Sequence, residues 1–241
     1  MTPFEMEFTL PRVRYDDRGQ LKESAVVYMC QVAAGEHCKL FSLDWDTLQK
    51  RDLFWAVIRV QAQIHRLPLF GEKIRAVTWP MPTTRSAFPR TTEGYDESGK
   101  RLFTVTNLWV LVDTKKRTML LPGKSGVALE GITLGRELPL PGSIYPEALS
   151  DRTERTVTEE DIDRNGHMNN TRYIDWLTDL LGQAHPPIRS LHAVYHSEAL
   201  LGDHLVLSWE KTDKICALEI TRPNGSGEKK WDRIFAARVE F

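Results

Sequence analysis

Long apolar runs are missing from this sequence. Nowhere in its 241 residues is there a stretch of about 18 apolar side chains, the minimum for a membrane-spanning helix. A dominant charge is missing too: 32 basic and 33 acidic side chains leave a formal net charge of -1. No global field therefore marks a nucleic-acid or membrane-surface binder, and any charged partner must be met by a local patch. Cysteine is scarce. Cys30, Cys38 and Cys216 are odd in number and form no CxxC pair, which excludes a disulfide frame or zinc ribbon and implies a reducing, cytoplasmic setting. Met1 to Phe8 carries two glutamates and no cationic start before an apolar run, so no signal peptide is expected there. A phosphate-binding glycine loop, a G-x-S-x-G elbow and heptad repeats are also absent.

What is present is an ordinary globular balance, 41% hydrophobic and 27% charged, long enough for one large domain or two of about 120 residues. Leu21 to Gly35 reads as a helix, with Leu21, Ala25, Met29 and Val32 on one stripe. Phe54 to Ile64 alternates as a strand, with Phe54, Ala56, Ile58, Val60, Ala62 and Ile64 expected on one face. Glu72 to Trp79 is a second strand, and Asp96 to Lys100 turns into a long strand from Arg101 to Asp113. Between Pro122 and Pro146, four prolines and five glycines break any regular element, so residues 123–150 are expected to be a surface linker. The pattern then returns. Asn170 is expected to cap a helix from Thr171 to Leu181 stopped by Gly182. Strands follow at about 190–197, 203–210, 214–222 and 230–241, with Asn224-Gly225-Ser226-Gly227 as the last turn.

The halves align without gaps when His65 is laid on His196, 131 residues on; Leu69-Phe70-Gly71-Glu72 then meets Leu200-Leu201-Gly202-Asp203. With the shared order of helix then antiparallel strands, this reads as an internal duplication. The expected fold is α+β: a long helix wrapped by an antiparallel sheet, twice, as a pseudo-dimer in one chain.

One segment concentrates chemistry. Asp163, Asn165 and His167, with Asn169 and Asn170, stand directly before the second amphipathic helix. A helix N-terminus offers unpaired N–H groups and positive dipole character, suited to polarising a carbonyl. Asn165-Gly166 permits a left-handed turn, and a histidine there titrates near neutrality. On spacing alone, the same residues also read as plain turn and capping groups. Both readings stay open at this point. His192 and His196 form an H-x3-H, but on a strand they stand about 13 Å apart, so no metal site is expected.

Asp163-Arg164-Asn165-Gly166-His167-Met168-Asn169-Asn170, followed by Tyr173-Ile174-Asp175-Trp176, resembles the signature of the plant and bacterial acyl-acyl carrier protein thioesterases. The resemblance continues in Tyr195-His196-Ser197-Glu198, in Leu53 to Gln61, in Pro68 to Glu72 and in Asn107 to Val110. It implies two tandem hot-dog domains: residues 1–122 with the acyl-chain pocket, and 151–241 with the catalytic network of Asp163, Asn165, His167 and Glu198. Many plant members carry a cysteine directly after that glutamate; here Ala199 stands there, so the carboxylates must carry the reaction. Glu198 would activate water, His167 relay the proton or position the water, Asn165 and helix amides hold the thioester oxygen, and Asp163 orient His167 and Asn165. A carboxylate attack through an anhydride is the alternative route.

In the first half Leu67 stands at the place of Glu198, and the helix residues Ala25, Met29, Cys30 and Ala33 are candidates for a pocket wall. The implied activity is hydrolysis of acyl-carrier thioesters to free fatty acid and holo carrier, ending chain elongation, with no cofactor. An acyl-CoA thioesterase and a non-catalytic acyl-binding hot dog are the competing readings. The implied partner is an acyl carrier protein with its acyl-phosphopantetheine arm; a homodimer is admitted, a nucleic acid is not. Lys115-Lys116-Arg117, Arg12, Arg14, Lys229 and Lys230 are candidate docking contacts for that acidic carrier.

Overall fold

The computed structural model describes residues 2–147, 149–224 and 231–241. The chain forms two compact units, one ending at Pro141 and one beginning at Gly142. The first holds β1 (Phe4–Phe8), α1 (Glu23–Lys39), α2 (Trp45–Gln49), β2 (Leu53–Ile64), β3 (Ile74–Pro80), β4 (Phe88–Tyr95), β5 (Arg101–Asp113) and β6 (Thr118–Leu120). Its strands are antiparallel in the order β1-β3-β4-β5-β2, with β6 folded back on the end of β5. The second holds β7 (Asp151–Thr156), α3 (Asn170–Leu181), β8 (Ser190–Tyr195), β9 (His204–Lys211), β10 (Ile215–Pro223) and β11 (Trp231–Glu240), in the order β8-β11-β10-β9-β7. Each sheet carries one long helix on one face. Most of the turn expected at Asn224 to Gly227 lies outside the described residues.

Helix α1 begins two residues later than its apolar stripe suggests and runs four past Gly35. Gly35 costs a helix interior about 1 kcal/mol. Buried Ala33, Ala34, His37 and Cys38 on either side, packed toward β1 and β3, outweigh that cost. Ala25, Met29, Cys30 and Ala33 are fully buried. At the other helix the cap is Asn169, not Asn170: its side chain accepts from the Thr171 N–H at 2.9 Å, and Asn170 is already helical.

The alternation expected along β2 fails in the middle. A bulge between Val57 and Arg59 shifts the register against β5. Val60, Ala62 and Ile64 are buried as expected, but Ala56 and Ile58 pack on the opposite side with Ala87, Leu108 and Val110. A period of two cannot survive an inserted residue. The proline-rich stretch after β6 lies across the first sheet. Ile132 N–H donates to Pro80 O at 2.9 Å, Thr106 Oγ1 to Leu138 O at 3.4 Å, and Trp79 Nε1 to Glu137 at 3.0 Å. Arg136 and Arg101 close on the fully buried carboxylate of Glu93, at 2.7 and 2.9 Å.

Candidate functional site

The segment before α3 folds into a closed loop. Ile162 bridges Met168, Asp163 N–H donates to His167 O at 2.8 Å, and Gly166 N–H donates to Asp163 O at 3.0 Å. Gly166 has φ of +79°, a conformation that explains the glycine there. Asp163 is the organiser. Its Oδ1 accepts from the backbone N–H of Asn165 at 2.8 Å and of His167 at 3.4 Å, and its Oδ2 accepts from Asn165 Nδ2 at 3.3 Å. Its hold on His167 thus includes the backbone, and it aims the Asn165 amide directly.

Glu198 reaches the same place from the loop after β8. His167 Nε2 stands 3.0 Å from Glu198 Oε2; the histidine side chain is 15% exposed and the glutamate 39%. The glutamate is therefore reachable by water while the imidazole is mostly enclosed. The next residue fixes this pairing. Ala199 is fully buried; its carbonyl accepts from Met168 N–H at 2.8 Å, and its N–H donates to the Tyr173 hydroxyl. The segment that carries Glu198 is thereby pinned to the loop of Asp163 to Met168 on one side and to α3 on the other.

Sequence reasoning missed this positioning layer. Tyr173, Tyr195 and Phe235 pack ring against ring, and Tyr195 donates from its hydroxyl to Asn170 O at 3.0 Å, seating α3 on β8 and β11. Burial raises both tyrosine pKa values, so both stay protonated donors. Below them, Arg172 donates to Asp161 at 2.8 Å and to Asp175 at 3.0 Å. Burial alone would raise the Asp161 carboxyl, but the Thr158 N–H and hydroxyl and the Arg172 guanidinium hold it below the usual range. A tyrosine on the apolar stripe of a helix was the available signal, since a buried hydroxyl needs a partner.

The helix amides are less available than expected. Thr171 N–H goes to Asn169 Oδ1 and Arg172 N–H to Asn169 O, so neither is left for a substrate oxygen.

The first unit carries the same loop without its chemistry. Tyr15 bridges Leu21, Asp16 N–H donates to Gln20 O at 2.8 Å, Gly19 N–H donates to Asp16 O at 3.0 Å, and Gly19 has φ of +79°. Leu21 N–H donates to Pro68 O at 2.8 Å, just as Met168 N–H does to Ala199 O. Asp16 thus corresponds to Asp163, Arg18 to Asn165, Gln20 to His167 and Leu67 to Glu198. The longer stretch after α1 changes the offset from 147 residues in the loop (Asp16 to Asp163) to 131 in the strand (Leu67 to Glu198), so an ungapped alignment finds only the second. All three cysteines are buried free thiols, and burial pushes Cys30 up to about 12 and Cys216 up to about 11.

Two helix-on-sheet units, one with an Asp-Asn-His loop closed on a glutamate and one with the same loop lacking the asparagine, histidine and glutamate, define a tandem hot-dog protein of the thioesterase type. Comparison with known proteins agrees. A family model described as the acyl-ACP thioesterase N-terminal domain matches residues 2–121, and one for the C-terminal domain matches residues 146–236. The chain belongs to the acyl-ACP thioesterase family. A palmitoyl-acyl carrier protein thioesterase of Cuphea hookeriana is 26% identical over 164 residues, covering 62% of this chain and 40% of that relative. A dodecanoyl-[acyl-carrier-protein] hydrolase of Cinnamomum camphora is 25% identical over 171 residues, covering 64% and 44%. The matches thus span about two fifths of those relatives' length. An acyl-ACP thioesterase of Bacteroides thetaiotaomicron superposes with a TM-score of 0.80 at 22% identity, over 99% of this chain and 97% of that one. The 12:0-ACP thioesterase of Umbellularia californica gives 0.79 at 20% identity, over 99% and 96%. These two likenesses establish the fold.

Proposed function

We propose that this chain hydrolyses acyl-acyl carrier protein thioesters, releasing free fatty acid and holo carrier and so ending chain elongation. The observation that carries this reading is the 3.0 Å pair of His167 Nε2 and Glu198 Oε2 beside the aimed amide of Asn165. Glu198 takes a proton from water, His167 positions that water or relays the proton, and the hydroxide attacks the thioester carbon. The Asn165 amide donates to the oxygen on which charge develops. The thiolate leaves with modest demand on an acid, and the proton taken up by Glu198 returns to it, directly or relayed through His167. We assign the acyl pocket to the first half, residues 1–122, and catalysis to residues 151–241, with 123–150 as linker between them. Ala25, Met29, Cys30 and Ala33 are fully buried, so a pocket wall there would require an acyl chain to displace core packing. No described helix is long and apolar enough to cross a membrane, and the three free thiols support a cytoplasmic setting.

A cysteine route is disfavoured by the buried, raised thiols and by Ala199. Changing Cys30, Cys38 and Cys216 together to Ala is expected to leave kcat within a few-fold of the parent. Loss of hydrolysis in a folded cysteine-free chain would return cysteine to the mechanism.

Carrier recognition is expected to rest on few charges in a chain of net charge -1. Exposed pairs mainly set encounter rate and are screened over about 8 Å at physiological ionic strength. Raising salt should therefore lower kcat/KM for the carrier thioester much more than for a short uncharged thioester. Lys115 and Lys116 are exposed but already face Asp52 at 2.6 Å and Asp113 at 3.9 Å, which weakens that patch. Lys229 and Lys230 lie outside the described residues. Charge reversal at 115–117 should spare the short substrate, whatever its effect on the carrier substrate. Equal salt dependence for both substrates would favour a carrier-independent thioesterase, for which acyl-CoA is the natural comparison.

A further inference from the structure

A polar cluster that the hydrolytic chemistry does not use lies on the face of the first sheet that α1 covers. Arg90 of β4 is 4% exposed. Its guanidinium contacts His37 Nδ1 at 3.0 Å, donates to Thr78 Oγ1 at 3.2 Å and reaches the Cys38 sulfur at 4.0 Å. No carboxylate of the described residues pairs with it. His37 does not add charge, because burial and the neighbouring guanidinium lower its pKa to about 4. Burial raises the Cys38 thiol, so no thiolate compensates the arginine either. A buried cation without a counter-charge is costly and is rarely kept without a reason.

The adjoining strand adds a second, independent observation. Asn107 of β5 stands directly opposite Arg90 in the strand register, so the two side chains share a face. It is 1% exposed, and its Oδ1 has no hydrogen-bond partner in the protein. Two residues on and on the same face, Trp109 Nε1 is also buried without a partner, as is Gln31 Nε2 on α1. Buried polar groups are nearly always satisfied, so this concentration in one domain calls for an explanation.

The chemistry of the set selects a ligand group. The guanidinium and the indole N–H seek an acceptor, whereas Asn107 Oδ1 seeks a donor. A plain hydrocarbon chain serves none of them. A ketone or a carboxylate serves only the donors. A hydroxyl both accepts and donates.

We infer that the Arg90, Asn107 and Trp109 face of the first domain is a subsite for a hydroxyl group on the acyl chain. It rests on the reading that the first domain holds that chain, and it specifies the substrate as a hydroxylated acyl thioester. Arg90 and Asn107 act here as specificity residues, remote from the hydrolytic pair in sequence.

The test compares carrier thioesters of one chain length, unsubstituted or with a hydroxyl at successive carbons, using the full chain. At least one hydroxyl position should be preferred by roughly tenfold in kcat/KM, the scale of one buried polar group left unpaired. In Arg90→Met and in Asn107→Leu that ratio should fall to about one, with circular dichroism and thermal unfolding verifying that each variant folds. No preference at any position, or one that survives both substitutions, overturns the inference. Calorimetric binding of the free hydroxylated and unsubstituted fatty acids provides an arm that needs no turnover. Tighter binding of the hydroxy acid that depends on Arg90 and Asn107, in a chain that hydrolyses nothing, would uphold the subsite and sink the thioesterase reading. Equal binding of the two acids would overturn the subsite.

Discussion

Glu198→Gln should lower kcat for thioester hydrolysis by roughly 10²–10⁴, the loss typical of removing a general base. Glutamine keeps the length and shape of the side chain and can still hydrogen-bond to His167 Nε2, now 3.0 Å from the carboxylate. It cannot accept a proton from water. The side chain is 39% exposed and its shape is kept, so Tm should hardly move. KM should also change little, since acyl-chain binding is assigned to the other domain. A kcat within a few-fold of the parent would take Glu198 out of the mechanism.

His167→Gln should have an effect of the same size, and the protein itself supplies the reason that it will fold. Gln20 occupies the equivalent place in the first domain, in a loop with the same backbone hydrogen bonds and the same left-handed glycine. The substitution therefore replaces an ionisable ring by a side chain that this loop already accommodates. If histidine and glutamate act as one proton-handling unit, the double variant His167→Gln with Glu198→Gln should be little worse than the poorer single variant. Groups that act as a unit are strongly non-additive in kcat. Full multiplication of the two losses would mean that each acts alone, and the pairing would then be structural.

The helix that follows each loop, and the strands beyond it, were legible because amphipathic periods of 3.6 and 2 are written directly in the residues. The Asp163, Asn165, His167 cluster was legible as a polar run before a helix. Its link to Glu198 was not readable from spacing, because 31 residues separate His167 from Glu198, and only the family resemblance joined them. Three features escaped for physical reasons. The β2 bulge breaks the alternation without leaving a mark in side-chain type. The cap at Asn169 and not Asn170 turns on which of two adjacent asparagines has extended backbone, which residue type does not distinguish. The matching loop Asp16 to Gln20 was hidden because a longer connection after α1 shifts its offset relative to the strands. Buried groups such as Arg90 and Asn107 declare themselves only when burial is known.

This tandem hot-dog chain is expected to be a working hydrolase and not an acyl-binding module. The direct measurement is steady-state release of free fatty acid and holo carrier thiol from acyl carrier protein thioesters of graded chain length. Equal amounts of both products, many turnovers per chain for at least one length, and loss of this turnover in Glu198→Gln are expected. Binding of the acyl carrier without turnover at any length, in a chain with His167 and Glu198 intact, would contradict this.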